Sequence, residues 1–223
     1  MRYAPAIICI VAFLALAAAV VSGATLPFDM AVRGAVHGVS SHDLTCVAQL
    51  FSFIGSAPVW VTATFIAVLV FWRMQRRNQA LAAGISMTGA VLLDNGLKFL
   101  FHRARPEVFF GVSPGTYSFP SGHALFATCF YGTLAALLTA QFENTLLRIA
   151  VWAPAVLMMV CIGWSRIYLG VHFPTDVLAG YLAGAAWLAA LNALNAFRLR
   201  RSAPATRGQD GIRSKAVPPS DRP

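Results

Sequence analysis

Cations and imidazoles gather where one of the long apolar stretches of the chain ends. Lys98 and Arg105 lie across this boundary, and His123 opens the next apolar stretch. A cation near the end of a hydrophobic helix is costly unless it reaches water, pairs with a carboxylate or holds an anion. Because several cations share one short segment, the sequence predicts an anion-binding site. Asp94, at position i−4 from Lys98, either orients the lysine or neutralises it.

The tetrapeptide Pro-Ser-Gly-His at 120–123 begins the following apolar stretch. Ser121 is a favourable residue for a helix N-cap, and Gly122 lets a ligand approach the backbone closely. The positive end of the helix dipole also favours an anion here. The tetrapeptide therefore indicates an anion cradle, although by itself it is also typical of an ordinary capped helix.

A third group of chemically active residues runs from Ser165 to Asp176. Arg166 stands at the end of an apolar stretch, His172 follows in a turn, and Pro174 suits the first turn of the next helix. A carboxylate near a histidine can hold one ring nitrogen and raise the basicity of the other. This pattern predicts a nucleophilic imidazole at His172, oriented by Asp176.

The composition identifies the class of protein that must position these residues. Of 223 residues, 58% are hydrophobic and 11% are charged, and the mean hydropathy is +0.67. A soluble domain of this size cannot bury so many long apolar stretches. We therefore predict an all-α, polytopic transmembrane bundle. The formal charge of +9 does not indicate nucleic-acid binding, because the basic residues form no single patch.

Six stretches reach, or nearly reach, the length that spans a bilayer. We place these helices at about 4–22, 56–73, 79–100, 122–140, 148–165 and 175–197. Alternating their direction leaves twelve Lys and Arg residues on one side and five on the other. The positive-inside rule then predicts that both termini are cytoplasmic, in an inner (cytoplasmic) membrane, and that the three motifs face the periplasm or exterior. On that outer face, Arg33 and Arg103 are the only cations to which we assign no role.

The first stretch has an alternative interpretation as a cleaved signal peptide, because small residues follow it at 22–24. Its apolar run is longer than a usual signal core, so we favour a retained helix. Three of the four cysteines fall within predicted helices, and Cys46 lies outside them without a partner. The sequence therefore predicts no disulfide, and it offers no cluster of ligands for a metal ion.

The loop at 23–55 contains a capping signal at 40–43 followed by apolar residues at helical spacing. We predict one short extracytoplasmic helix there, lying at the membrane surface. It is either a lip over which a lipid enters the site or a connector that covers helix ends, and we favour the connector.

The chain divides into a transmembrane domain at 1–197, with catalytic motifs at 98–176, and a tail at 198–223. The tail is basic and rich in Pro, Ser and Gly, and we predict that it is disordered and cytoplasmic.

Together the three groups resemble the type 2 phosphatidic acid phosphatase family, also called the lipid phosphate phosphatases. The resemblance rests on Lys98, six residues, Arg105-Pro106; on Pro120-Ser-Gly-His123; and on Ser165-Arg166, five residues, His172, three residues, Asp176. It extends over about 94–195 and is complete in order and spacing. Any one block is a weak signal, but chance agreement of all three is improbable.

The resemblance implies a phosphatase that acts on a lipid phosphate through a phosphohistidine intermediate, without metal or other cofactor. It implies that His172 attacks phosphorus, that Asp176 orients it, and that His123 protonates the leaving oxygen and later activates water. The phosphoryl oxygens would be bound by Lys98, Arg105, Ser121, Gly122 and Arg166. These roles suit phosphoryl transfer, in which negative charge spreads over the oxygens and the leaving alkoxide needs a proton.

Two alternatives compete with an enzyme. A bundle tied by salt bridges at its outer end is disfavoured because carboxylates are few there. A transporter or flippase would bind a lipid phosphate without hydrolysing it, and no inverted repeat indicates one. The substrate class is a lipid phosphate, with undecaprenyl diphosphate as the specific alternative. Oligomeric state cannot be inferred from the sequence.

Overall fold

The computed structural model describes residues 3–202, with side chains up to residue 194. Over these residues the secondary-structure elements are all α-helices. Its helices are α1 (Ala4–Val21), α2 (Leu26–Gly38), α3 (His42–Ile54), α4 (Ala57–Arg73), α5 (Arg77–Phe101), α6 (Gly122–Thr139), α7 (Thr145–Tyr168) and α8 (Pro174–Ser202).

Most of the long helices are suited to a bilayer. α1, α5, α6, α7 and the Pro174–Leu194 part of α8 are long and apolar enough to cross a membrane. α4 reaches this standard only together with α3, from which it is bent by 49°. The predicted all-α polytopic bundle is confirmed, and α4, as the longer part of the bent α3–α4 pair, provides a sixth candidate span.

Local chemistry explains where the helices nearest the site begin and end. α5 stops at Phe101, where His102 adopts a left-handed conformation with φ of 47°. Pro106 soon follows, and the residue before a proline is disfavoured in a helix. α8 begins at Pro174, whose fixed φ suits a first helical turn. Both boundaries agree with the sequence pattern.

α6 lies at the centre of the bundle and packs against α5, α7 and α8, while α1 packs against α8. The starts of α6 and α8 are locked together. Ser121 N–H donates to the Asp176 carbonyl at 2.9 Å. A Cβ atom on Gly180 would lie 2.5 Å from the Ser121 carbonyl oxygen, so only glycine permits this approach. Two of the sequence motifs are therefore fixed to each other by the backbone.

The 23–55 segment contains two helices, where the sequence predicts one. The predicted helix is α3, and Ser41 caps it by accepting a hydrogen bond from Leu44 N–H at 3.2 Å. α2 is the unexpected helix. Its buried residues are Asp29 and Arg33, so its inward face lacks the apolar stripe by which a surface helix is normally found.

The structure describes only part of the region around and beyond the predicted domain boundary at residue 197. α8 continues to Ser202, beyond the predicted boundary. The rest of the predicted tail, at 203–223, lies outside the described residues.

Candidate active site

The structure brings the three sequence motifs to one end of the bundle. Lys98 lies in the last turn of α5, Arg166 in the last turn of α7, and Ser121 at the N-cap of α6. His172 lies in the short connection between α7 and α8, and Asp176 in the first turn of α8. Because α5 and α7 end where α6 and α8 begin, residues distant in sequence meet at one surface.

His172 and Asp176 form a buried pair, with exposed fractions of 2% and 0%. Nδ1 of His172 lies 3.5 Å from Oδ2 of Asp176. Ser118 bridges the two, because its hydroxyl donates to Oδ2 at 2.5 Å and lies 3.4 Å from Nδ1. The backbone N–H of Phe173 also donates to Oδ2, at 2.9 Å. The carboxylate is thus fixed in the orientation that places Nδ1–H of the imidazole towards it.

Arg105 holds the other edge of the same imidazole. Its Nη1 lies 3.1 Å from Nε2 of His172 and donates to the Val171 carbonyl at 2.8 Å. Because a guanidinium only donates hydrogen bonds, Nε2 must be the unprotonated nitrogen. Burial lowers the pKa of His172 to about 4, although Asp176 beside it raises that pKa. At neutral pH the imidazole is therefore uncharged, with a lone pair on Nε2.

Polar groups at this end of the bundle are buried without partners. Ser121 is the N-cap of α6, but its hydroxyl does not cap the helix. Among the described residues, Ser121 Oγ and Arg166 Nε are buried and make no hydrogen bond. Buried donors are normally satisfied, so such groups need an explanation. Two orphaned donors on different helices of one site suit an anion that bonds to both.

Lys98 lies beside the start of α6. A Cβ atom on Gly122 would be 3.1 Å from Lys98 Nζ and 3.0 Å from Asp94 Oδ1. Lys98 Nζ also donates to Asp94 Oδ2 at 2.7 Å, so the predicted i, i+4 pair is present. The absence of a side chain at Gly122 keeps the helix N-terminus open to the lysine. The ammonium group and the free N–H groups of α6 therefore face the same space.

α3 covers the ends of α6 and α7, and in doing so it contacts two of the predicted site residues. Ser52 accepts a hydrogen bond from Nη1 of Arg166, and its backbone lies against the ring of His123. The helix ends at Gly55, where a Cβ atom would lie 2.9 Å from Cδ2 of His123. The C-terminal turn of α3 thus holds both a predicted phosphate ligand and the predicted general acid.

Arg103 is paired in the structure, so its description as a cation without a role is wrong. It bonds to Asp176 at 2.6 Å and to Asp29 of α2 at 2.8 Å. Arg33, the other such cation, is buried and donates to the Glu107 carbonyl at 2.5 Å. The expectation that carboxylates are scarce at this end overlooks Asp29, which is fully buried.

Sequence reasoning missed Asp29, Arg103, Ser118 and Ser52. Of these four residues, Asp29 is the easiest to identify from the sequence, because it is a lone carboxylate in a largely apolar segment. The two serines carry no such signal, since serine is common in loops and at helix ends.

Within the described part of the chain, no group of three or more His, Cys, Asp and Glu side chains is arranged to hold a metal ion. Metal-independent chemistry remains a prediction, which an assay with a chelator tests.

Known proteins resemble this chain in sequence and in fold. A family model described as the PAP2 superfamily matches residues 79–200. An undecaprenyl-diphosphatase of Sulfolobus acidocaldarius is 32% identical over 144 residues, which make up 62% of this chain and 64% of the relative. The phosphatidylglycerophosphatase B of Bacillus subtilis is 39% identical over 94 residues, 42% of this chain and 46% of that protein. The chain thus spans less than two thirds of the length of these two relatives.

One solved structure covers more of the molecule. It is the crystal structure of a transmembrane PAP2 type phosphatidylglycerolphosphate phosphatase from Bacillus subtilis. The two folds agree with a TM-score of 0.80 at 27% sequence identity, over 86% of this chain and 96% of the other. The likeness therefore includes the helices that precede the motifs.

Proposed function

The chain belongs to the PAP2 superfamily, and from this membership we propose that it is an integral membrane phosphatase hydrolysing the phosphate or diphosphate head of a lipid. The reaction proceeds through a phosphohistidine at His172 and needs no metal. One observation carries this proposal. A neutral imidazole, oriented by a buried carboxylate, lies in the same site as two buried donors that have no hydrogen-bond partner among the described residues.

In the first step the lone pair on Nε2 of His172 attacks phosphorus, and the bond from phosphorus to the leaving oxygen breaks. The electron pair of that bond stays on the oxygen, which takes a proton from the protonated ring of His123. Asp176 stabilises the positive charge that develops on the His172 ring, through Nδ1–H. Arg105, whose Nη1 lies 3.1 Å from Nε2, is next to the oxygens of any phosphoryl group bonded there.

In the second step His123, now neutral, takes a proton from a water molecule whose oxygen attacks phosphorus. The bond between phosphorus and Nε2 breaks, its electron pair returns to the imidazole, and inorganic phosphate leaves. Throughout, the negative charge on the phosphoryl oxygens is stabilised by Lys98, Arg105 and Arg166, with the Ser121 hydroxyl and the Gly122 N–H.

For the substrate we propose a lipid phosphate as a class, with undecaprenyl diphosphate as the specific alternative. A site at the end of a transmembrane bundle suits an amphiphile whose head reaches the site while its tail stays among lipids. The relatives are named for different lipids, a diphosphate in one case and a glycerophosphate in another. A shared family does not decide between them.

For the orientation we propose that both termini lie in the cytoplasm and that the active site faces the periplasm or exterior of the inner membrane. The asymmetry of Lys and Arg between the two sides supports this arrangement.

Phosphate release by the purified full-length protein in EDTA tests the enzymatic proposal. We expect His172→Ala to reduce the rate by roughly a thousandfold or more, as removal of other catalytic nucleophiles does. His42→Ala is the matched control, because His42 is exposed at the start of α3 and should leave the rate unchanged. Parent-like release by His172→Ala, or binding of the lipid by the parent without hydrolysis, contradicts the proposal, and the second result indicates a transporter.

A panel of purified lipids then identifies the substrate. It contains phosphatidic acid, phosphatidylglycerol phosphate, a lipid A phosphate and undecaprenyl diphosphate. A kcat/KM for undecaprenyl diphosphate far above the others establishes the specific alternative, and similar values establish a broad lipid phosphatase.

A further inference from the structure

α2 reaches into the loop that carries the proposed nucleophile. Its Asp29 is fully buried, and Oδ1 accepts a hydrogen bond from Thr175 N–H at 3.0 Å. Oδ2 accepts from the Thr175 hydroxyl at 2.7 Å and from Nη2 of Arg103 at 2.8 Å. Thr175 directly precedes Asp176. The carboxylate of α2 is therefore bonded to the backbone of the first turn of α8, which carries Asp176.

Arg103 lies between two buried carboxylates. While Nη2 bonds to Asp29, Nη1 donates to Oδ1 of Asp176 at 2.6 Å and to the Thr175 hydroxyl at 3.0 Å. The guanidinium also lies over the ring of Phe173, 4.1 Å from its centroid. Arg103 thus holds the Oδ1 side of Asp176 and leaves Oδ2 directed towards His172.

The charges of Asp29, Arg103 and Asp176 together set how strongly a positive His172 ring is stabilised. A single guanidinium bonded to Asp176 would cancel most of the negative charge that stabilises a positive imidazole. Asp29 offsets that guanidinium, so these three groups carry one net negative charge. Arg33 of α2 also interacts with both carboxylates, and its positive charge is offset by Glu107. Asp29 and Arg103 therefore fix the Asp176 carboxylate and also preserve its electrostatic effect on His172.

We propose that Asp29 and Arg103 are positioning residues for the phosphoryl transfer, forming with Asp176 a buried ionic relay that makes α2 part of the catalytic apparatus. The inference rests on the proposed function, because it assigns His172 as the nucleophile. Neither residue touches the reacting atoms. Both act by orienting the Asp176 carboxylate and by setting its electrostatic effect on His172.

Single substitutions test the relay through the split between kcat and KM. Asp29→Asn keeps the shape of the side chain and removes its charge, and Arg103→Gln removes the guanidinium. Each should lower kcat by roughly 10- to 100-fold and leave KM almost unchanged. Removing the residues that hydrogen-bond to metal ligands has an effect of this size at metal sites. Arg103→Lys, which keeps the charge, should retain more activity than Arg103→Gln. Asp43→Asn and Arg148→Gln are matched controls at exposed positions.

The double variant separates a relay from general damage to the fold. Asp29→Asn with Arg103→Gln removes both members of the Asp29–Arg103 ion pair, while Asp176 keeps its hydrogen bonds from the Ser118 hydroxyl and the Phe173 N–H. It should lose less activity than the product of the two single losses. Losses that multiply independently would overturn the proposal, because they would show that Asp29 and Arg103 do not act on each other.

The titration of the His172 ring provides a readout that needs no turnover. His172 is faced by Asp176 of α8, Arg105 of the 102–121 loop, Arg166 of α7 and His123 of α6. In NMR spectra of the labelled protein, with His172→Gln identifying the signal, Asp29→Asn should move the midpoint to lower pH and Arg103→Gln to higher pH. A purely structural role predicts no such opposite pair of shifts.

The outcomes distinguish this inference from the function on which it rests. If the parent releases phosphate, His172→Ala does not, and both relay variants keep the parent kcat and the parent midpoint, the relay is refuted and the phosphatase stands. If His172→Ala releases phosphate as the parent does, the nucleophile assignment fails, and the relay fails with it as a catalytic device.

Discussion

At the scale of single residues, the properties of His172 come from its neighbours. Arg105 on one edge and the Ser118–Asp176 pair on the other fix which nitrogen carries the proton. Burial removes the water that would otherwise favour the charged ring. The side chain that we propose as the nucleophile is therefore held as a neutral imidazole over the physiological pH range.

The lowered pKa of His172 predicts how the stability of the protein depends on pH. Its pKa is about 4 in the folded protein, against an ordinary value of 6.5 for histidine. Between these two pH values the unfolded chain binds more protons than the folded one, so the stability falls as the pH falls. The unfolding temperature in detergent should therefore drop more between pH 7 and pH 4 in the parent than in His172→Gln. Equal drops would show that His172 is not buried as a neutral ring.

At the scale of elements, the short helices before α4 complete a site whose motifs all lie later in the chain. α2 supplies Asp29, and α3 brings Ser52 and Gly55 against Arg166 and His123. Neither helix is long enough to span a bilayer alone. Both are held by polar contacts with the site, so their placement and that of the active-site residues depend on each other.

Gly55 offers a direct test of the role of α3. Its φ of −82° suits any residue, so Gly55→Ala acts through contacts, and the new methyl group would press on His123 and on Cγ2 of Ile162, 2.7 Å away. Displacing His123, the proposed general acid, should lower kcat by roughly 10- to 100-fold.

Gly96→Ala is the matched control, because a Cβ atom there has no neighbour within 4 Å. Its phosphate release should equal that of the parent. If Gly55→Ala also matches the parent, the end of α3 does not position His123.

At the scale of the whole molecule, the bundle has one end that carries the candidate site and an opposite end that carries Arg73, Arg76, Arg77 and Arg148. Cys46 is exposed on α3, at the end with the site, while Cys9, Cys129 and Cys161 lie within α1, α6 and α7. The bundle therefore contains a natural reporter for the side of the membrane that the site faces.

We expect a membrane-impermeant maleimide to label Cys46 on intact cells, since the positive-inside rule directs this end outwards. Cys46→Ser should abolish the labelling. In that background Arg148→Cys, at the exposed start of α7 on the opposite end, should react only after the membrane is permeabilised. The reverse pattern for the two positions would show that the active site is cytoplasmic.

The sequence by itself determined the class of the protein, its spans and the residues that are candidates for binding phosphate. These features are local. The length of an apolar stretch, a proline after α5, or a histidine at a set distance from an aspartate can each be recognised without the partners of the segment. For this reason Lys98, His123 and His172 were identified in the sequence before the fold was known.

Only the tertiary structure decided which side chains from distant parts of the sequence contact the candidate site residues. Asp29 meets Thr175 across 146 positions of sequence, and Ser52 meets Arg166 across 114. Whether a buried carboxylate is stranded, paired or part of a relay depends on which helix packs against it. Packing is a property of the assembled bundle, because each contact needs two surfaces that the local pattern of either segment leaves unspecified.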